Sequence, residues 1–314
     1  MALSLKLPST LPIARYRFEF KVTEDLLLPE YSGSTLRGIW GHALRLITCM
    51  TKAKSCDLCP LLTTCPYPEI FESPVPENGI FAKMQNIPQG YIIEPPDIGA
   101  RFFTKGEILN FDMVLLGHVI ERIALINYAW QRAFKRGVGK WRGRAEFIDI
   151  KVEGQDGFHS ILAGQYIAPH IKSIDLPTFD TSTVTLKLLT PLRLQERGRI
   201  VSPEKIRTDL FFIQLLRRFS MVSSVYFSHS VEADYVQLKL LAEQITTQAK
   251  LYWYDWARYS NRQQKKVPLG GILGEWTFYD LPEPFIQLLY LGQWLHAGKN
   301  TTFGLGRYEL LSRN

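Results

Sequence analysis

His296-Ala297-Gly298-Lys299-Asn300-Thr301-Thr302-Phe303-Gly304-Leu305-Gly306-Arg307-Tyr308-Glu309-Leu310 follows an apolar run that begins at Pro284. It reads as the end of a helix, a glycine-rich loop with basic residues, and a closing strand over 303–311. The succession occurs a second time. The helical pattern of 119–134 runs into Lys135-Arg136-Gly137-Val138-Gly139-Lys140-Trp141-Arg142-Gly143-Arg144, then into a strand over 145–152. Glycine lets a ligand approach the backbone and leaves N–H groups unobstructed, and Lys299 and Arg307 add positive charge, which suits a phosphate backbone. The same letters also spell a helix C-cap at Gly298 and a turn before an edge strand.

Working outward, residues 12–22 alternate apolar and charged side chains (Ile13, Tyr16, Phe18, Phe20, Val22), the period of a strand. Ser32 or Ser34 can cap a helix over 35–49 whose apolar positions Leu36, Trp40, Ala43 and Ile47 fall on one stripe. Residues 79–93 suggest a strand pair, and 107–116 another strand. The pattern then restarts: strand 183–189, a turn at Thr190-Pro191, helix 203–219, a helical segment over 231–245, paired strands at 250–260 and 269–279, and helix 284–296. Both halves spell β-α-β-β-α-β, so the expected class is α+β, two ferredoxin-like domains in tandem. The expected domains are 1–178, with a cysteine-rich insertion at about 49–78, and 179–314 with the glycine-rich loop.

The 314 residues suffice for two such domains. Their 46% hydrophobic and 21% charged content is that of a globular protein. No apolar run is long enough to span a bilayer, and Met1-Ala2-Leu3-Ser4-Leu5-Lys6 lacks a signal-peptide core, so a cytoplasmic protein without a membrane partner is expected. The net charge of +7 and pI of about 9.1 favour a polyanionic partner. The 12% aromatic content serves base stacking or a filled core equally well.

The tail 298–308, the helix Leu36-Arg37-Gly38-Ile39-Trp40-Gly41-His42-Ala43-Leu44-Arg45 and the tandem layout resemble the CRISPR-associated endoribonucleases that process precursor CRISPR RNA, the Cas-six type of the RAMP superfamily. The run Cys56-Asp57-Leu58-Cys59-Pro60-Leu61 through Cys65-Pro66-Tyr67 to Phe71-Glu72 resembles a cysteine-bearing branch of that family. The resemblance implies CRISPR repeat RNA, often a stem-loop, as substrate, bound in a cleft between the domains, and cleavage without metal. It also allows other CRISPR effector subunits as partners. The same folds and loops would serve a non-catalytic RAMP subunit that only binds guide RNA.

Metal-independent RNA cleavage uses the substrate's 2′-hydroxyl as nucleophile. It needs a base for that proton, an acid for the departing 5′-oxygen and a cation for the phosphorane, and it leaves a 2′,3′-cyclic phosphate and a 5′-hydroxyl. Histidine, with a pKa near 6.5, suits both transfers. Of six histidines, His42 is the candidate: it lies far round the helix from the apolar stripe, and Gly38, one turn earlier, leaves space above it. A helix-interior glycine costs roughly 1 kcal/mol relative to alanine, so Gly38 and Gly41 suggest a close approach. The family often carries a catalytic histidine on this first helix, and some members add a tyrosine and a lysine, for which Tyr31 and Lys52 are candidates.

The RNA-binding candidates are Lys135, Arg136, Lys140, Arg142 and Arg144 at the first glycine loop, Arg258, Arg262, Lys265 and Lys266 in a basic hairpin, and Gly298, Lys299, Gly304, Gly306 and Arg307 in the tail. All four cysteines, Cys49, Cys56, Cys59 and Cys65, fall within seventeen residues at C-x6-C-x2-C-x5-C. Cys56-x-x-Cys59 has the bite of a metal-ligand pair. Tetrahedral zinc, an iron–sulfur cluster and unligated thiols remain open, and the role of a metal would be structural, since no cofactor is expected for catalysis.

Overall fold

The computed structural model describes residues 5–75, 87–96, 99–179, 182–260 and 265–311. They cluster into two compact units: Leu11–Ile174 with Val225–Ser228, and Met1–Thr10 with Asp175–Ser224 and His229–Asn314.

In the first unit the chain runs β1 (Ile13–Val22), α1 (Gly33–Thr48), α2 (Pro66–Phe71), β2 (Tyr91–Glu94), β3 (Ile108–Leu116), α3 (Ile123–Arg136), β4 (Ala145–Gly154) and β5 (Gly157–Ser160). The sheet order is β2-β3-β1-β4-β5 with every pairing antiparallel. Alternation along β1 sends Tyr16, Phe18, Phe20 and Val22 into the core. There α1 supplies Trp40 and α3 supplies Trp130 and Phe134. The two indoles stack at 5.6 Å, and Phe20 lies 4.2 Å from Phe134. The other face of β1 carries ion pairs: Arg15 with Glu94 and Glu153 (2.9 Å each), Arg17 with Asp112 (2.8 Å), and Glu19 with Lys151 (2.7 Å). Burial alone would lower the pKa of Arg15; Glu94 and Glu153 more than reverse it, so the guanidinium stays charged.

The second unit runs β6 (Val184–Leu192), α4 (Thr208–Tyr226), α5 (Tyr235–Gln244), β7 (Thr247–Tyr254), β8 (Gly271–Phe278), α6 (Glu283–Leu295) and β9 (Tyr308–Leu311). Its sheet order, β7-β8-β6-β9, repeats that of β2-β3-β1-β4. In both units the first strand lies between the third and fourth, which is the ferredoxin-like arrangement written twice. Phe211, Phe212, Trp276, Phe278, Phe285 and Tyr308 fill the core. Asp234 caps α5, its carboxylate accepting from the Val236 and Gln237 N–H groups at 3.0 Å. α6 packs so closely on β9 that a Cβ on Gly292 would stand 1.8 Å from the Tyr308 hydroxyl.

Several expected boundaries move. The strand expected over 183–189 continues through Thr190-Pro191 to Leu192, because a register irregularity between Leu188 and Leu192 removes the need for a proline N–H. The last strand starts at Tyr308 and not at 303, since Asn300 and Gly304 take left-handed angles around a short 3-10 turn. Of the strand pair expected over 79–93, the described part holds one strand, β2, and 79–86 lie outside the described residues. The cysteine-rich insertion contains a six-residue helix, α2, and its end at 76–78 is outside them too. Leu5–Thr10, expected in the first domain, cluster with the second unit. Leu5 bridges Ala233, and the Leu176 N–H donates to the Ser9 carbonyl.

Candidate functional site

α1 has a buried stripe and an open face. Leu36, Trp40, Ala43 and Leu44 are buried, whereas Gly38, His42 and Leu46 are exposed. Spacing of four residues puts the last three in one row. A Cβ on Gly38 would meet nothing within 4 Å, so the helix surface beside His42 is open. Gly41 is different: its Cβ would stand 2.1 Å from the Phe71 ring, so this glycine admits α2 onto α1. Arg37 holds the same region, donating to the Tyr91 hydroxyl at 2.8 Å and lying 4.3 Å over the Phe71 ring.

Tyr31 and Lys52 flank this helix. Tyr31 is buried just before its first turn, and Lys52 is exposed beyond its last. The sixteen helical residues between them rise about 24 Å, so α1 does not bring the two side chains together. The Lys52 segment does fold back. Arg45, in the last turn of α1, donates to the carbonyls of Ala53 and Lys54, the latter at 3.1 Å. Arg45 is a positioning residue that the sequence reading passed over; its spacing, three residues after His42 and four before Cys49, was the available signal. Desolvation would raise the pKa of Cys49, yet hydrogen bonds from the Lys52 N–H, Thr51 and Arg45 hold it below the usual thiol value.

The four cysteines are free thiols, each half-buried, and all line one hollow with Arg45, Thr51 and Tyr67. Thr51 Oγ1 lies 3.5 Å from Cys59 Sγ and 4.0 Å from Cys49 Sγ. Burial pushes the Cys56 thiol up, Arg45 opposes this, and Glu72, Cys65 and Cys49 add to it. Among the described residues no three His, Cys, Asp or Glu side chains already stand in a set that could hold a metal ion.

The glycine loops are folded tightly onto their own units. Gly137, Gly139 and Gly143 put their would-be Cβ atoms 2.2 Å from the carbonyls of Arg142, Leu27 and Asp25 respectively. Gly298 and Gly306 have positive φ, and a Cβ there would stand 2.5 Å from the Arg193 carbonyl and 1.8 Å from that of Ala297. Lys299 N–H donates to Arg193 O (2.9 Å), Gly306 N–H to Pro191 O (3.1 Å), and Thr190 Oγ1 to Gly304 O (2.7 Å). The close approach these glycines permit is by the chain's own backbone. What the loops turn outward is charge: Lys135, Arg136, Lys140, Arg142, Arg144 and Lys299 are exposed, and Arg307 is half-buried. Trp141 is exposed beside them, edge-on to Phe102 at 5.4 Å. His296, next to the tail loop, is fully buried, its Nδ1 3.2 Å from the Leu305 carbonyl.

The basic hairpin pairs Ala257–Ser260 with Lys265–Pro268. This sets Arg258, Lys265 and Lys266 in its strands, while Arg262 lies outside the described residues.

Residues 11–173 match a family model described as an N-terminal domain, and the chain carries that domain. Residues 186–308 match the model of the CRISPR-associated endoribonuclease Cas6. Among solved structures, a partial Cas6-RT-Cas1–Cas2 complex aligns over 97% of this chain at 17% identity and a TM-score of 0.58; the chain spans 47% of that one. A Cas6 product complex aligns over 97% of this chain and 100% of its own at 14% identity and a TM-score of 0.59. Thermus thermophilus Cas6 covers the same shares at 12% identity and a TM-score of 0.53. No curated protein sequence matches at a significant level. No helix among the described residues is long and apolar enough to cross a membrane. The second unit thus matches the Cas6 endoribonuclease model, and the doubled ferredoxin-like fold is similar to that of the solved Cas6 structures.

Proposed function

We propose that the chain binds CRISPR repeat RNA and cuts precursor CRISPR RNA by metal-independent transesterification. The observation that carries this is the open face of α1, where exposed His42 stands one turn from a glycine with nothing near its absent side chain. His42 takes the proton of the 2′-hydroxyl or gives one to the 5′-oxygen. O2′ bonds to phosphorus, the bond to the 5′-oxygen breaks, and a 2′,3′-cyclic phosphate and a 5′-hydroxyl remain. Lys52, on the segment that Arg45 draws back toward α1, is the proposed cation for the phosphorane. Tyr31, buried at the other end of the helix, is the weaker of the two partners. The outward lysines and arginines of the two loops, together with Arg258, Lys265 and Lys266 of the hairpin, would hold phosphates, with Trp141 offering a ring for a base.

The test uses end-labelled repeat RNA in EDTA, wild type beside His42→Ala, and a substrate with 2′-deoxy at the cut. Single-site cleavage is expected, falling about 10²–10⁴-fold in His42→Ala while binding persists. Cleavage that survives His42→Ala moves the catalyst elsewhere. Tight binding without cleavage by wild type makes the protein a non-catalytic guide-binding subunit.

A further inference from the structure

Residues 49–65 form a folded segment without a core. None of the seventeen is buried; Met50 is 75% and Leu58 97% exposed. The backbone is nonetheless tightly turned, with Cys59 N–H donating to Cys56 O (3.0 Å), Leu62 N–H to Cys59 O (3.0 Å) and Cys65 N–H to Leu61 O (2.8 Å). Fixing each residue costs backbone entropy, and this stretch buries no apolar side chain to offset it. Its inward positions are Ala53, Leu61, Leu62 and the four cysteines; every other residue is exposed. The thiols thus stand where a small domain would keep its core, around a single hollow.

We propose that Cys49, Cys56, Cys59 and Cys65 are the ligands of a four-thiolate metal centre, a zinc ion or an iron–sulfur cluster, that holds this segment folded. Short segments lacking apolar burial are commonly stabilised in this way, because binding free energy is delivered as folding free energy. Cys49 and Cys59 already face one point, the Thr51 hydroxyl, and Arg45 supplies positive charge beside the thiolates. The side chains do not yet form a set that could hold a single ion. A rotamer step about χ1 carries a sulfur about 3 Å with the backbone fixed. Lys52 lies between the first two ligands, so the centre also ties the proposed phosphorane cation to the end of α1.

The experiment is metal and sulfide analysis with visible spectroscopy on the full chain purified without oxygen, beside a Cys56→Ser/Cys59→Ser variant. Wild type should carry about one zinc per chain, colourless, or about four irons with sulfide and broad visible absorption. The variant should lose at least about tenfold of that metal. Because the variant's fold could suffer, thiol reactivity of wild type is followed with and without chelator. The four thiols should be protected until chelator is added, after which 49–65 becomes a preferred protease site. Wild type lacking stoichiometric metal, even after reconstitution, with four thiols equally reactive in both conditions, overturns the proposal. Full metal retention by the variant overturns it as well.

Discussion

Gly38→Ala and Gly41→Ala should change stability in opposite directions, although the two positions lie three residues apart on one helix. In both variants alanine restores helix propensity, worth about 0.5–1 kcal/mol. At Gly38 nothing else happens, since no atom lies within 4 Å of the new methyl. Stabilisation of about 0.5–1 kcal/mol is expected. At Gly41 the methyl would fall 2.1, 2.3 and 2.8 Å from three atoms of the Phe71 ring, against a comfortable separation of about 3.5–4 Å. The ring cannot slide away freely. It stacks on Tyr67 at 5.4 Å and on Tyr91 at 5.7 Å, and Arg37 covers it. Overpacking of this kind costs about 1–3 kcal/mol. The propensity gain is common to both variants and cancels in their difference, so the gap between them should be about 1–3 kcal/mol, with Gly41→Ala the less stable. Urea unfolding followed by far-UV circular dichroism, with unchanged slopes, measures it. Equal midpoints for the two variants would refute the assignment of Gly41 to helix packing and Gly38 to open space. If that open space receives RNA, Gly38→Ala should also cleave more slowly while being the more stable protein.

Gly306→Ala should lose at least about 3 kcal/mol, because a left-handed φ of 72° and a carbonyl 1.8 Å from the new carbon act together; thermal unfolding reads it. Glu94→Ala leaves the buried Arg15 with its ion pair to Glu153, and should cost about 3 kcal/mol in chemical denaturation, the low end for breaking a buried pair. Neutralising the exposed Arg136 and Lys140 together should reduce the slope of log affinity against log salt by about 1.4 for single-stranded repeat RNA and about 1.8 for a duplex stem. An unchanged slope in filter binding would remove those side chains from the RNA contacts.

The order of elements was readable because each depends on a short period: Tyr16, Phe18 and Phe20 alternate, and Leu36, Trp40 and Ala43 recur at helical spacing. Boundaries were less readable where tertiary contacts decide them. Pro191 looks like a strand breaker until the irregularity that accommodates it is seen, and Phe303 continues an alternation that Asn300 and Gly304 interrupt through their φ angles. The glycines were legible as close approaches but not as to what approaches. Gly38 and Gly41 are the same letter on the same helix, and only the position of Phe71, thirty residues on, separates them. His42 was legible as exposed. The burial of Tyr31 was not, since a tyrosine just before a helix carries no periodic signal. The fold-back of Lys52 through Arg45 was not either, because it runs through backbone carbonyls that any residue could offer.

The bridge from Leu5 to Ala233 has a consequence for how the molecule is made. A ribosome adds about 5–20 residues per second, so Leu5 waits roughly 10–45 s after its own synthesis before its partner exists. During that interval β1 to β4 can pair among themselves, because all four strands have been translated, while Leu5 still lacks its bridge. The sheet of the first unit can then assemble during elongation, while that of the second closes only after translation has passed β9.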